Sequence, residues 1–176
     1  MLYFMKPLPE NKIDTADWKP FIKNNRFRNN FMYFVYCLQL ILIILSIISG
    51  VWHFSNLFVK IGLFICVFII HESLHLLVVF KAGDISITLS GIFVWITSGA
   101  ILSKSRFLVF MSLPFIGLTV VPAILCIPLS GELKDIMVYA AWVNSIIAAS
   151  DLINSVLIAI KPNNSLFYRG YYKAKF

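Results

Sequence analysis

The sequence predicts an all-α membrane protein, with four transmembrane helices and a short β-hairpin between the second and the third. Hydrophobic residues make up 60% of the 176 residues and charged residues only 13%, and the mean hydropathy is +0.86. The apolar residues are concentrated in four runs, each long enough to supply the roughly 20 residues that a hydrocarbon core requires. A soluble domain of this composition would expose a large apolar surface, so the bilayer is the expected solvent.

The four predicted spans cover residues 31–52, 56–80, 107–129 and 136–160. The third span contains three prolines, at positions 114, 122 and 128, so a kinked or interrupted helix is expected there. A break at membrane depth is tolerated only where protein or water satisfies the freed backbone groups.

Residues 84–103, between the second and third spans, are predicted to form the β-hairpin. Polar and apolar residues alternate from Asp84 to Ser90, Gly91 follows, and β-branched residues resume at Ile92. Two strands alone are marginally stable, so the hairpin is expected to pack against the helices. Two roles are consistent with this pattern: a strand edge that captures an extended peptide, and a merely structural connector.

Lysine and arginine are distributed unevenly around the predicted spans. A polar N-terminal arm (1–30) holds six, the loop that contains the hairpin (81–106) holds three and a C-terminal tail (161–176) holds four, whereas the opposite loops hold only Lys60 and Lys134. Because cytoplasmic loops carry the excess of positive charge, both termini and the hairpin are expected in the cytoplasm, around a membrane domain of residues 31–160. The expected location is a cell membrane, bacterial in type. Basic residues beside apolar runs favour contacts with lipid headgroups and not with nucleic acid.

The second span carries the pattern His-Glu-Ser-Leu-His at residues 71–75. Residues four apart on a helix share one face, so His71 and His75 can reach the same metal ion. Glu72 lies beside such a metal, where a general base for a water molecule belongs. Because polar and charged groups are costly in hydrocarbon, this cluster favours a functional site.

Asp151, deep in the fourth span, is expected at the same depth as the two histidines. His71 lies ten residues before Lys81. Asp151 lies ten residues before Lys161, on a helix of the same direction. At 1.5 Å per residue, both side chains should lie about 15 Å from the cytoplasmic ends of their helices. Two histidines and one carboxylate, with a position open for water, form a standard catalytic zinc site, so His71, His75 and Asp151 are the predicted zinc ligands.

Two asparagines of the fourth span share the face of Asp151 and are candidates for contacts with the substrate or the ligands. Asn144 precedes Asp151 by two helical turns, and Asn154 follows it by three residues. Asn144 could hydrogen-bond the scissile carbonyl or stabilise a developing oxyanion, but ordinary hydrogen bonding between helices explains it equally well. The same cluster could also hold a non-catalytic metal or form a proton relay, and Asp151 could be a hydrogen-bonded structural acid.

With His-Glu-Ser-Leu-His in the second span, Pro114 in the third and residues 144–151 in the fourth, the sequence resembles the zincin peptidase family, formerly a domain of unknown function. That family is similar to site-2-type proteases, which are zinc metalloproteases that cut within membranes. The resemblance covers about residues 63–160. It implies His71, His75 and Asp151 as zinc ligands and Glu72 as the catalytic base. Site-2 proteases carry their ligand acid in an Asn-Pro-Asp-Gly-like setting, whereas Asp151 lies in Ala-Ser-Asp-Leu.

The predicted function is therefore that of a membrane-embedded zinc metallopeptidase that cuts a membrane protein or a membrane-associated peptide. Glu72 would take a proton from water and pass it to the leaving amine. The expected partners are the substrate, the lipid bilayer, and either an accessory membrane subunit or a second copy of the chain. The alternative is a non-enzymatic membrane protein, such as a transporter partner or an immunity factor, whose polar cluster or metal is structural. Replacing Glu72 with Gln separates these two predictions, because a structural metal needs only its ligands.

Overall fold

The structure, a computed structural model, describes residues 1–8, 17–53, 56–90 and 93–174. In chain order, the elements within these ranges are β1 (Leu2–Phe4), β2 (Lys19–Pro20), α1 (Asn25–Asn29), α2 (Phe31–Ile48), α3 (Leu57–Val79), β3 (Ile85–Ser90), β4 (Phe93–Ser98), β5 (Leu102–Ser103), α4 (Lys104–Phe115), α5 (Val121–Leu125), α6 (Gly131–Ile147), α7 (Ala149–Ala159), β6 (Ser165–Tyr168) and β7 (Tyr171–Ala174). A 3₁₀ turn (Val51–His53) follows α2, and a π-helical segment (Ile116–Val120) joins α4 to α5.

Three described helical stretches are long and apolar enough to cross a membrane: Phe31–Ile48, Leu57–Val79 and Lys104–Leu125. Their outward surfaces are apolar, and Ile48 and Phe58 are 75% and 84% exposed, as lipid-facing side chains would be. Side-chain caps mark where two of these stretches begin. Asn56 accepts a hydrogen bond from the backbone N–H of Val59 at the start of α3, and Ser103 does the same for α4.

The predicted all-α fold with four transmembrane helices and one hairpin is wrong. The fourth predicted span is broken into α6 and α7, which meet at an angle of 64°, so a fourth crossing exists only if this bent pair counts as one. The described chain also contains two β-sheets. Nothing in the local sequence marks the break, because the run around Ala148 is free of proline and glycine. Ala148 and Ala149 are fully buried, and their small side chains allow the close packing that the bend requires.

The first sheet extends the predicted hairpin. Strands β3 and β4 pair in antiparallel register from Ile85 opposite Ser98 to Ser90 opposite Phe93. Strand β1 adds to β3 in parallel, which gives the order β1-β3-β4. Among the described strands, β4 has a neighbour on only one side, so its second edge is an edge of this sheet.

The second sheet, of order β2-β7-β6-β5, joins three connecting segments that are distant in sequence. Lys19 pairs with Tyr172, and Leu102 pairs with Phe167. The segments before α2, before α4 and after α7 therefore lie on the same side of the helices. Strands of two to four residues are too short to show a period of two, which is why the sequence does not predict this sheet.

The predicted interruption of the third span is present. Pro114 lies inside α4, the π-helical segment follows it, and Pro122 lies in the first turn of α5. A proline lacks the N–H that would continue the helical hydrogen-bond ladder, and a π-helical segment also leaves that ladder locally irregular. Buried carbonyl groups in α4 consequently need partners from other helices.

The first turn of α4 holds the C-terminal ends of α3 and α7. The Nζ of Lys104 donates to the carbonyl oxygens of Ala159 and Lys161, at 2.9 and 2.5 Å. The guanidinium of Arg106 donates twice to the carbonyl of Val78, from Nε at 3.1 Å and from Nη2 at 2.9 Å. Cations at helix C-termini satisfy unpaired carbonyls and interact favourably with the helix dipole. These two side chains therefore fix α3 and α7 relative to each other through α4.

Replacing Lys104 with Met should lower the free energy of unfolding by about 1–3 kcal/mol, because the helix-end carbonyls lose a charged donor. Thermal unfolding in detergent micelles measures the effect. Lys134→Met is the matched control, since Lys134 is exposed in the first turns of α6, and it should leave the unfolding midpoint nearly unchanged. Equal midpoints for the two variants would show that the Lys104 contacts do not stabilise the fold.

Candidate metal centre

Three polar side chains from two helices meet at one point inside the helical region. His71 and His75 lie one turn apart on α3, and Asp151 lies in the first turn of α7. The Nε2 atoms of the two histidines are 3.2 Å apart. Each Nε2 lies 3.1 Å from the same oxygen, Oδ2 of Asp151. The contact between Asp151 and the helix of the two histidines, predicted from their equal depth, is thereby present.

The three residues are almost completely shielded. His71 is 3%, His75 6% and Asp151 8% exposed. Buried polar groups are costly unless each finds a partner, so the hydrogen bonds of the ring nitrogens facing away from Asp151 determine which atoms remain for a ligand.

The Nδ1 of His75 lies 2.7 Å from the backbone carbonyl oxygen of Phe110 on α4. A carbonyl oxygen can only accept, so this contact requires a proton on Nδ1 of His75. In the neutral imidazole, Nε2 then carries a lone pair.

The Nδ1 of His71 lies 2.8 Å from Oδ1 of Asn144 on α6. The Nδ2 of Asn144 donates to the carbonyl of Pro114 at 3.0 Å and to Oγ1 of Thr119 at 2.9 Å. Because the carbonyl of Pro114 can only accept, the amide group of Asn144 must face it with nitrogen and must face His71 with oxygen. Nδ1 of His71 therefore carries a proton, and in the neutral ring its Nε2 also has a lone pair.

Two imidazole Nε2 atoms and a carboxylate oxygen thus converge. When both rings are neutral, their lone pairs and the carboxylate repel one another unless a cation, either a metal ion or a proton, lies between the atoms. Two imidazole nitrogens with one carboxylate oxygen form a donor set typical of zinc. Ligand atoms of a tetrahedral zinc ion, with bonds of about 2.0–2.2 Å, lie about 3.3–3.6 Å apart. The observed separations of 3.1–3.2 Å are close to this spacing. Within the described ranges, these three residues form the group whose ligand atoms all lie within 4.8 Å of one another, so they fit a zinc ion.

A cavity of about 360 Å³ opens onto these three side chains. Glu72 lines it and is half-buried, and Ser150 and Asn154 lie on its wall beside Asp151. The remainder is mostly apolar and comes from α2, α3, α4, the end of α6 and strand β4. Residues of these elements on the wall are Met32, Ile43, Phe64, Phe68, Val94, Trp95, Ile96, Met111, Ile146 and Ile147.

The structure places the predicted site residues in three different settings. His71, His75 and Asp151 meet at their ligand atoms, and Glu72 and Asn154 line the adjoining cavity. Asn144 is fully buried, and its side chain hydrogen-bonds His71, the carbonyl of Pro114 and Thr119. This arrangement corresponds to interhelical hydrogen bonding, the second of the two interpretations that the sequence left open.

Sequence reasoning missed the partners contributed by α4 and the π-helical segment. A backbone carbonyl, such as that of Phe110, has no signature in the sequence. Thr119 could have been noticed as a hydroxyl in an apolar run, but its contact with Asn144 depends on the π-helical turn. Gln39 on α2 was also missed, and it donates to the carbonyl of Ile146 at 3.2 Å, just before the helix break.

The sequence model of one family, described as "Putative zincin peptidase", matches residues 64–166 of this chain. The chain belongs to this family. The match includes all three converging side chains as well as Glu72. A comparison with curated proteins found no match, and neither did a comparison with solved structures. Membership in a family of zincin peptidases indicates a metallopeptidase and implies zinc as the metal, in agreement with the donor atoms that the structure brings together.

Replacing Asn144 with Ala should destabilise the protein by about 2–4 kcal/mol, because the buried Nδ1–H of His71 and the Pro114 carbonyl both lose their partner. The unfolding midpoint of metal-free protein in detergent measures the loss. Asn154→Ala provides the control, since Asn154 lines the cavity and its side chain makes no hydrogen bond within the described residues. Its effect should stay within about 1 kcal/mol. Similar midpoints for the Asn144 variant and the wild type would contradict the assigned network.

Proposed function

We propose that this chain is a membrane-embedded zinc metallopeptidase that hydrolyses peptide bonds of a membrane protein or a membrane-associated peptide. The observation that carries the proposal is the convergence of two imidazole lone pairs and one carboxylate oxygen beside Glu72, at the end of an apolar cavity. Family membership supports the peptidase class, and the long apolar helices support the location in a membrane.

In this proposal His71, His75 and Asp151 hold the zinc ion. Structural zinc sites are closed by four protein ligands, whereas catalytic sites have three protein ligands and one open position. Among the described residues, three ligand side chains come together, and they face a cavity instead of a fourth ligand. This arrangement supports catalysis over a structural metal.

Glu72 is proposed as the general base. When bound, zinc supplies a Lewis acid that polarises a carbonyl group and lowers the pKa of water to about 7. The carboxylate of Glu72 accepts a proton from the attacking water and returns it to the nitrogen of the leaving amine. Its position on the cavity wall, next in sequence to His71, supports this role. The apolar wall limits the access of bulk water to the reacting groups.

We propose that the substrate binds as an extended strand along the edge of β4. Three consecutive β4 residues, Val94 to Ile96, line the cavity that contains the metal ligands. In the described structure, β4 pairs only with β3, so the other side of its backbone faces away from the sheet. An extended peptide can add to such an edge through main-chain hydrogen bonds. The apolar wall of the cavity suits a peptide segment with apolar side chains.

The proposed chemistry resembles that of site-2-type proteases, in which zinc acts within the membrane.

The sheet of β2, β5, β6 and β7 lies with both terminal segments and with Lys104 and Arg106 on the basic side of the helices. We propose that this side faces the cytoplasm, because cytoplasmic segments carry the excess of lysine and arginine. An accessory membrane subunit or a second copy of the chain could cover the exposed apolar helices in place of lipid.

Purified protein should contain about one zinc ion per chain, as a site of this ligand set binds one metal. His71→Ala and His75→Ala should remove most of the zinc, and Asp151→Asn should weaken its binding. Glu72→Gln should keep the zinc and lower the cleavage rate about a hundredfold or more, because only the base is lost. Elemental analysis measures the metal, and a quenched fluorescent peptide of apolar sequence in micelles reports cleavage.

The outcomes of this experiment separate the two functional classes. If Glu72→Gln cleaves as fast as the wild type, Glu72 is not the base. If the wild type binds zinc through the two histidines but cleaves neither the peptide nor reconstituted membrane proteins, the metal is structural, as in the non-enzymatic alternative. Undiminished zinc in both histidine variants would exclude the metal site itself.

The proposed orientation is tested with single cysteines in a background that lacks Cys37, Cys66 and Cys126. Asn164→Cys lies on the side of the second sheet, and Glu132→Cys lies at the opposite end of the helices, both at exposed positions. An impermeant thiol reagent applied to intact cells should label position 132 and leave position 164 unlabelled until the cells are opened. The reverse pattern would place the sheet outside the cytoplasm.

A further inference from the structure

The acceptor of His75 is a backbone carbonyl that lacks the usual i+4 donor of its own helix. In an α-helix, the carbonyl of residue i accepts from the N–H of residue i+4. For Phe110 that residue is Pro114, which has no N–H. The carbonyl of Phe110 instead accepts from Nδ1 of His75 at 2.7 Å.

This carbonyl lies where water cannot easily replace the missing donor. Phe110 is 6% exposed, and Pro114 is among the fully buried residues. The ring of His75 also packs against the ring of Phe110, with centroids 4.7 Å apart. An unpaired carbonyl in this setting costs free energy, so Phe110 and His75 each supply the partner that the other requires.

We propose that Pro114 is a positioning residue for the metal centre, which acts by reserving the Phe110 carbonyl for His75. This inference rests on the proposed zinc site. An acceptor for the proton on Nδ1 fixes the tautomer in which Nε2 carries the lone pair, and it holds the plane of the ring. An ordinary residue at position 114 would bring an N–H to the same carbonyl oxygen and compete with His75.

Pro114 contributes to the second histidine as well. Its own carbonyl accepts from Nδ2 of Asn144 at 3.0 Å, and that contact turns Oδ1 of Asn144 toward Nδ1 of His71. Pro114, which is outside the ligand set, therefore influences the orientation of both imidazoles. It lacks an N–H that would compete with His75 for the Phe110 carbonyl, and its own carbonyl accepts from Asn144, the partner of His71.

Pro114→Ala tests the proposal, because it restores the N–H and keeps the Pro114 carbonyl position available to Asn144. We expect the affinity for zinc, measured by competition with a chelating dye, to fall about tenfold, the lower end of what loss of such a partner costs. The unfolding midpoint of the metal-free variant should stay equal or rise, because the helix gains a hydrogen bond. ¹⁵N spectra of metal-free protein with labelled histidine should show His75 shifting away from the tautomer protonated at Nδ1.

Pro122→Ala is the matched control. Pro122 is also buried, but the carbonyl four residues before it belongs to Leu118, which is not hydrogen-bonded to a histidine in the described structure. Its zinc affinity and histidine spectra should equal those of the wild type. Unchanged affinity and tautomer in Pro114→Ala would overturn the proposal, and so would a lowered midpoint in the metal-free variant, since Pro114 would then act only by shaping the helix.

These experiments distinguish failure of the proposed function from failure of the positioning role of Pro114. If wild-type protein binds no zinc, the proposed function fails, while the ¹⁵N spectra still report whether Pro114 controls the tautomer of His75. If zinc binds and the peptide is cleaved but Pro114→Ala changes neither affinity nor tautomer, only the positioning role fails.

Discussion

Everything around the candidate site depends on one requirement: each buried imidazole must place the proton of Nδ1 on an acceptor. The protein meets this requirement with the Phe110 carbonyl for His75 and with Oδ1 of Asn144 for His71. With these two protons placed, the Nε2 atoms of both rings face Asp151. The hydrogen bonds at Nδ1 thus orient the two rings so that a cation could bind between their Nε2 atoms and Asp151. Orientation of ligands by such outer partners is a common feature of metal sites in proteins.

The irregular segments of the helices provide the acceptors and partners that these two histidines use. The interruption after Pro114 supplies acceptors from α4, and the π-helical segment brings Thr119 to Asn144. The break at Ala148 separates Asn144 from Asp151, and these two residues approach His71 from its two different ring nitrogens. The backbone acceptors at these irregular positions are paired within the protein, since the carbonyls of Phe110 and Pro114 accept from His75 and Asn144.

The two sheets and two basic side chains in the first turn of α4 support this arrangement from outside the site. Lys104 and Arg106 attach the ends of α7 and α3 to the start of α4, so the helices that carry Asp151 and the two histidines share one anchor. The first sheet places β4 on the wall of the same cavity. A rigid frame around an open apolar cavity is what a peptidase needs if it is to hold an extended substrate against fixed catalytic groups.

The sequence alone determined the chemistry of the site and the apolar character of the helices. The spacing of His71 and His75 follows from the helical period, and the equal depth of Asp151 follows from the rise per residue, so these contacts could be predicted without coordinates. Long apolar runs likewise give the candidate spans, and alternation gives the β3–β4 hairpin. Tertiary structure alone decided the second sheet, in which the short strands β2 and β5 pair with strands far away in sequence. It also decided the break at Ala148, because the bend depends on which helix surfaces pack together. The use of the Phe110 carbonyl was likewise decided by tertiary structure, because a backbone acceptor is not encoded by a particular residue type.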